Sequence, residues 1–90
     1  MKSIFVGNLD SQVIGDDLRQ LFLHYGRVDR ITLMTDRDTG RSRGFGIVDM
    51  ANKNEAERAI TELNGTLFAG RALNVNEARP HGGVQRRKRS

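Results

Sequence analysis

The segment from Arg43 to Met50 constrains this chain more than any other part of its sequence. Read as a β-strand, it sends alternate side chains to opposite faces of a sheet, because successive residues in a strand point in opposite directions. One of the two sets is small and apolar, and it consists of Gly44, Gly46, Val48 and Met50. The segment therefore predicts a strand with one face packed against helices.

The opposite face of the same strand carries a cation, an aromatic ring, an aliphatic side chain and an acid, namely Arg43, Phe45, Ile47 and Asp49. The rest of the sequence contains no obvious segment to cover this face. An exposed ring beside an arginine contributes little to a core, but it offers a surface on which an unpaired nucleic-acid base can stack. This face is therefore the first candidate for a binding site.

Two stretches have the spacing of amphipathic helices. The first has no capping hydroxyl at Ile14, so its start is weakly specified, and we expect Gly26 to end it in a left-handed conformation. The second has Asn52 as its N-cap and ends near Gly65. The apolar positions of the two helices are Leu18, Leu21, Phe22 and Tyr25, and then Ala56, Ala59, Ile60 and Leu63.

Three further segments alternate like strands, at residues 3–7, 27–35 and 72–78. The resulting order of strand, helix, strand, strand, helix, strand predicts an α+β fold, a ferredoxin-like βαββαβ sandwich. Only one face of each strand is apolar enough to be covered, so we expect a four-stranded antiparallel sheet with both helices on one face. The uncovered face is predicted to carry Phe5, Arg30, Thr32, Met34, Arg43, Phe45, Ile47, Asp49, Asn74 and Asn76.

Length and charge divide the chain of 90 residues into one small domain at residues 1–79 and a disordered basic tail at residues 80–90. The domain holds 11 basic and 11 acidic side chains, so the net charge of +4 comes from the tail cations Arg86, Arg87, Lys88 and Arg89. The chain has no cysteine, and neither a signal peptide nor a membrane span is recognisable. We expect a cytoplasmic protein, or a nuclear one in a eukaryote.

Two motifs of this chain resemble signatures of the RNA recognition motif family. The octamer Arg43–Met50 is similar to the first ribonucleoprotein signature, and the hexamer Ile4–Leu9 is similar to the second. The resemblance covers residues 1 to about 79 and extends to small bacterial RNA-binding proteins with a single motif. It implies that Phe5 and Phe45 stack on bases or on a ribose and that Arg43 contacts a phosphate. Ile47 departs from the family pattern, which has an aromatic residue there.

From the alternation and the resemblance we predict binding of single-stranded RNA in post-transcriptional regulation, with single-stranded DNA as a second ligand of the same chemistry. The predicted contacts are Phe5, Arg43, Phe45, Ile47, Arg30, Thr32, Asn74, Asn76 and Arg79. Auxiliary basic contacts are predicted at Arg41, Arg86, Arg87, Lys88 and Arg89. Arg41 can equally be a solvated loop charge, and a run of tail cations is often only a solvated end.

Two alternatives remain open at the level of sequence. The first is a protein-interaction module on the same fold, with Phe5 and Phe45 as its apolar patch. The second is a small hydrolase on the same topology, which is disfavoured because no nucleophile, base and anion-binding loop converge. His24 has neither a carboxylate nor a second histidine at ligand spacing, which disfavours a metal-binding or catalytic role for it. We also predict no enzyme activity, no metal, no cofactor and a monomer.

Overall fold

A computed structural model of the chain describes residues 2–78. The helices are α1 (Gly15–Leu23) and α2 (Lys53–Leu63). The strands are β1 (Lys2–Gly7), β2 (Val28–Thr35), β3 (Ser42–Met50), β4 (Leu67–Phe68), β5 (Arg71–Ala72) and β6 (Asn74–Glu77). The predicted α+β order is confirmed, and the boundaries of the first three strands differ from the prediction by one residue at most.

Four strands form one antiparallel sheet in the order β2-β3-β1-β6, so the two strands that carry the ribonucleoprotein-like segments, β3 and β1, are the central pair. β1 pairs with β3 along its whole length, from Lys2 opposite Met50 to Gly7 opposite Phe45. On its other side β1 pairs with β6 over residues 4–7. The two segments that carry the predicted rings are therefore direct neighbours in the sheet.

The hydrophobic core lies on one face of this sheet, between the strands and the two helices. Val48 is fully buried and is the pairing partner of Ile4 on β1 and of Ile31 on β2. The other core side chains from the sheet are Val6, Val28, Met50 and Val75, those from the helices are Leu18, Phe22, Ala56, Ala59 and Leu63, and those from the connections are Leu9, Val13 and Leu73. Burial follows the predicted alternation in β3. In β2 the alternation is interrupted by a register shift after Val28, and Ile31 and Leu33 are only partly buried.

The start of α1 is better held than its sequence suggests. Ile14 has no side-chain acceptor, but its backbone N–H donates to the Asp17 carboxylate over 3.0 Å. An acidic side chain in the first helical turn also complements the helix dipole. At the start of α2, the predicted cap is present, because the Glu55 N–H donates to the Asn52 side chain over 3.0 Å.

The prediction for the end of α1 is wrong. The helix ends at Leu23, and the Tyr25 N–H donates to the Phe22 carbonyl over 3.0 Å to close a last, tighter turn. Gly26 has a φ of +158°, far from the left-handed helical value of about +57°. Glycine suits this position for two reasons, because L side chains rarely adopt this φ and because a Cβ on Gly26 would collide with the Glu55 side chain.

A two-stranded hairpin of β4 and β5 lies between α2 and the last strand, where the sequence predicted only a turn and then a strand from 72 to 78. Its turn residues Ala69 and Gly70 have φ values of +52° and +82°. Two positive φ values at the centre of a two-residue turn match the twist of a hairpin. The last strand of the four-stranded sheet is therefore shorter than predicted and begins at Asn74.

The side-chain alternation of β3 yields a direct test of the fold. Val48→Asp would bury an unpaired carboxylate, at a cost that approaches the whole stability of a small domain, about 5 to 15 kcal/mol. We expect this variant to lose its cooperative thermal transition in circular dichroism. Ile47→Asp, one residue away on the opposite face, should keep it. Loss of the transition in both variants, or in neither, would contradict the assignment of the two faces.

Candidate nucleic-acid interface

The sheet face opposite the helices, here called the open face, is arranged as three rows of side chains. The pairing partners define a central row that runs across all four strands from Thr32 through Ile47 and Phe5 to Asn76. On one side of it Phe45, Gly7 and Asn74 form a second row. On the other side Arg30, Asp49 and Ser3 form a third.

Phe5 and Phe45 form a stacked pair on the open face. Their ring centroids are 6.1 Å apart with an interplanar angle of 27°, within the range of favourable aromatic pairs. Both side chains are only partly buried, and neither belongs to the hydrophobic core. The pair therefore presents aromatic surface to solvent beside two exposed amides.

Gly7 makes room for this arrangement. It is the pairing partner of Phe45 and lies two residues from Phe5 on the same face of β1. A Cβ at Gly7 would lie 2.8 Å from Cε2 and 2.9 Å from Cζ of Phe5, so the Phe5 ring occupies the space above this glycine. The absence of a side chain at Gly7 thus lets the ring of Phe5 lie toward Phe45.

Ile47 lies on the open face as predicted, opposite Phe5 on one side and Thr32 on the other. It is partly buried, and Thr32 is exposed. An aliphatic side chain at this position offers a base dispersion contact but no π surface. Two of the three stacking positions implied by the family pattern are therefore aromatic.

The polar and basic residues predicted for the site are found on or near the open face, in the hairpin between β2 and β3, and outside the described residues. Asn74, Asn76, Arg30 and Arg43 are exposed, and the first three lie in the rows of the open face. Arg43 lies in β3 two residues before Phe45. Arg41 lies in the connection between β2 and β3. The predicted contacts Arg79, Arg86, Arg87, Lys88 and Arg89 lie outside the described residues.

Arg41 belongs to the hairpin between β2 and β3. The Asp36 side chain accepts hydrogen bonds from the Asp38 and Thr39 amides, over 2.7 and 3.3 Å, and so fixes this turn. Arg41 lines a cleft of about 560 Å³ together with Val13, Ile14 and Leu33. Neither Phe5 nor Phe45 lines this cleft. An auxiliary RNA contact of Arg41 stays a prediction.

The third row contains a hydrogen bond between two side chains. The Ser3 hydroxyl donates to Oδ1 of Asp49 over 2.5 Å, and both groups are partly buried. Arg30 is the pairing partner of Asp49 on β2, and its side chain is exposed. The sequence predicted Asp49 on this face but assigned it no contact.

Arg71 and Asn8 form a polar contact that the sequence analysis missed. Nη2 of Arg71 donates to Oδ1 of Asn8 over 2.8 Å, and Nδ2 of Asn8 donates to the Ala72 carbonyl over 2.7 Å. Asn8 directly follows β1 and has a φ of +62°. The partners are 63 residues apart, so no local pattern predicts the contact. It fixes an exposed guanidinium next to the C-terminal end of β1.

Other site types find little support in the part of the chain from residue 2 to residue 78. No group of three or more His, Cys, Asp or Glu side chains in this part is placed to hold a metal ion. Neither of the two helices described is long and apolar enough to cross a membrane. His24 is exposed just after α1, on the helix side of the sheet.

Comparison with known proteins agrees with this geometry. The family model for the RNA recognition motif matches residues 4–74. The chain is 51% identical over 78 residues to the candidate RNA-binding protein RbpE of Nostoc sp., an overlap of 87% of this chain and 79% of that protein. The crystal structure of RNA Binding Protein PG1 is similar with a TM-score of 0.84 and 49% identity, and the match covers 90% of this chain and 100% of that chain.

A solved protein/RNA complex is also similar. The Sxl-lethal protein in that complex matches with a TM-score of 0.81 and 32% identity, over 86% of this chain and 47% of that chain. The family match spans most of the chain, and it includes both ribonucleoprotein-like segments, strands β2 and β3 and most of β1. This chain belongs to the RNA recognition motif family.

Proposed function

We propose that this protein binds single-stranded RNA on the open face, with bases stacked on Phe5 and Phe45. The observation that carries the proposal is the stacked pair of rings, 6.1 Å apart, on the sheet face that the helices leave uncovered. Stacking of a base on an aromatic side chain contributes about 1 to 3 kcal/mol per base, as measured by substitution with alanine. Family membership and the similarity to a protein/RNA complex support the same ligand.

The geometry favours single strands over duplexes. A base can stack on an aromatic side chain only if it is unpaired and no neighbouring base covers that face of it, as in loops and free strands. Around the rings, Asn74 and Asn76 supply amide donors and acceptors for base edges. We propose that these amides, together with the backbone of residues 77–79, read the sequence of the RNA. Thr32 and Ile47 extend the contact surface.

Cations hold the phosphate backbone in this proposal. Arg30 and Arg43 are exposed at or near the open face. Residues 1–79 are neutral in sum, so binding by the domain depends on where these charges lie. We infer a binding domain at residues 1–79, with Arg79 at its end, and a basic tail at residues 80–90 that adds affinity without specificity.

The protein acts by binding and not by catalysis in this account, as a monomer in post-transcriptional regulation. The alternative use of the two rings is contact with another protein. A titration of a short fluorescent RNA, alone and annealed to its complement, separates the two proposals. We expect anisotropy to rise at lower protein concentrations with the single strand. Failure to bind either form would favour the protein-interaction module.

Phe45→Ala should weaken binding of single-stranded RNA by roughly fivefold or more, since about 1 to 3 kcal/mol of stacking is lost. The melting temperature should change little, because the ring is outside the hydrophobic core. Leu23→Ala is the matched control, as it removes an apolar side chain that is 44% exposed on the helix side. Equal affinities of the two variants would refute stacking on Phe45.

Gly7→Ala should disturb the aromatic pair without unfolding the domain. The new Cβ would lie 2.8 Å from Cε2 of Phe5, and the far end of that ring can move to relieve the contact. We expect weaker nuclear Overhauser effects between the two rings, a severalfold loss of RNA affinity and a stability change within about 1 kcal/mol.

Gly15→Ala is the control for this variant, because its Cβ would make an ordinary contact of 3.6 Å with Ile31. It should leave the ring-to-ring Overhauser effects and the RNA affinity as in the unsubstituted protein. Unchanged ring contacts in Gly7→Ala would show that Gly7 does not determine the position of Phe5.

Removal of residues 80–90 should lower RNA affinity at low salt and flatten its salt dependence. Each phosphate contact to a single strand contributes about 0.7 to the slope of log K against log salt, so four cations account for at most about 3 units. Replacing the four tail cations by glutamine at full length separates charge from chain length. Loss of the preference among RNA sequences in either variant would show that the tail takes part in specificity.

A further inference from the structure

Asp49 is an unexpected residue on a surface that binds a polyanion. It lies on β3 two residues from Ile47, in the row next to the one that holds Phe5. A carboxylate there repels phosphates, and it lowers RNA affinity unless it makes a favourable contact of its own. Its position next to a base-stacking surface points to a contact with a base and not with the backbone.

The Asp49 carboxylate is oriented but not neutralised by its neighbours. Ser3 donates its hydroxyl to Oδ1 over 2.5 Å, which fixes the direction of the side chain. Arg30 faces it across the β2–β3 pair, yet the ion pairs found among residues 2–78 do not include Asp49. An ionised carboxylate has about four lone-pair sites and no donor. Ser3 occupies one of them, so acceptor capacity remains.

We propose that Asp49, held by Ser3, selects a base that carries an amino group on its Watson–Crick edge and rejects uracil at the adjacent position of the open face. This inference rests on the proposed binding of RNA. Cytosine N4, adenine N6 and guanine N2 each donate to a carboxylate. Uracil presents O4 where cytosine has its amino group, and its one donor on this edge, N3–H, lies between the acceptors O2 and O4. A carboxylate that accepts from N3–H therefore lies close to both carbonyl oxygens and is repelled by them.

The distances within the sheet suit this contact. Residues two apart in a strand are separated by about 6.7 Å, so the row that contains Asp49 is one base-width from the row that contains Phe5 and Ile47. A base that lies on these two side chains therefore brings its edge toward the carboxylate. Asp49 thus acts as a specificity-determining residue and Ser3 as a positioning residue.

Nonamers of cytidine and of uridine test the proposal, because their bases have the same size and differ in the group at C4. At one fixed salt concentration, we expect the protein to bind the cytidine nonamer at least roughly fivefold more tightly, the lower end for one base contact. Asp49→Asn should bring the ratio of the two affinities toward one. Ser3→Ala should lower the ratio less, because the carboxylate is present but less well oriented.

Asp16→Asn is the matched control, since it removes the same charge from an exposed position in the first turn of α1. It should leave the cytidine-to-uridine ratio unchanged. A ratio near one in the unsubstituted protein, or an Asp49→Asn variant that binds both nonamers equally more tightly, would overturn the role of Asp49 and leave RNA binding intact. Failure of the unsubstituted protein to bind either nonamer would overturn RNA binding itself. Thermal melts of each variant confirm that it is folded.

Discussion

The antiparallel pairing of β1 with β3 is the constraint on which the rest of this structure depends. It puts Ile4 opposite Val48 on the core side and Phe5 opposite Ile47 on the open side. A shift of one residue in this register would exchange the two faces, because side chains alternate along a strand. The same pairing therefore builds the core and brings Phe5 close enough to Phe45 to stack.

The open face also depends on what is absent from it. Because Gly7 has no side chain, the Phe5 ring can lie directly over it. Gly46 is on the core side, where the absence of a side chain lets β2 approach closely. A Cβ on Gly46 would lie 2.8 Å from the Thr32 carbonyl oxygen. Glycine at these two positions thus serves two faces of one sheet. At Gly7 it shapes the binding surface, and at Gly46 it permits strand packing.

Much of this architecture follows from local sequence patterns, and two of the exceptions share a physical cause. The alternation in β1 and β3 predicts which side chains are buried, because burial in a two-layer fold follows a period of two. The hairpin of β4 and β5, the contact of Glu55 with Gly26 and the bond from Arg71 to Asn8 are not predicted. The last two join residues far apart in sequence, so they depend on the finished fold. The hydrogen bond from the Ile14 N–H to the Asp17 carboxylate is local, yet it is not predicted either. A carboxylate at the third helical position can cap a helix whose N-cap residue has no capping side chain.

The most direct test of the account is the set of intermolecular nuclear Overhauser effects in a complex of the labelled protein with single-stranded RNA. The account predicts contacts from the ring protons of Phe5 and Phe45 to base and ribose protons. Residues on the outer side of α1, such as Leu23, should show none. A bound RNA whose protons contact the helices, while the two rings show no contact, would contradict the assignment of the open face as the RNA-binding surface.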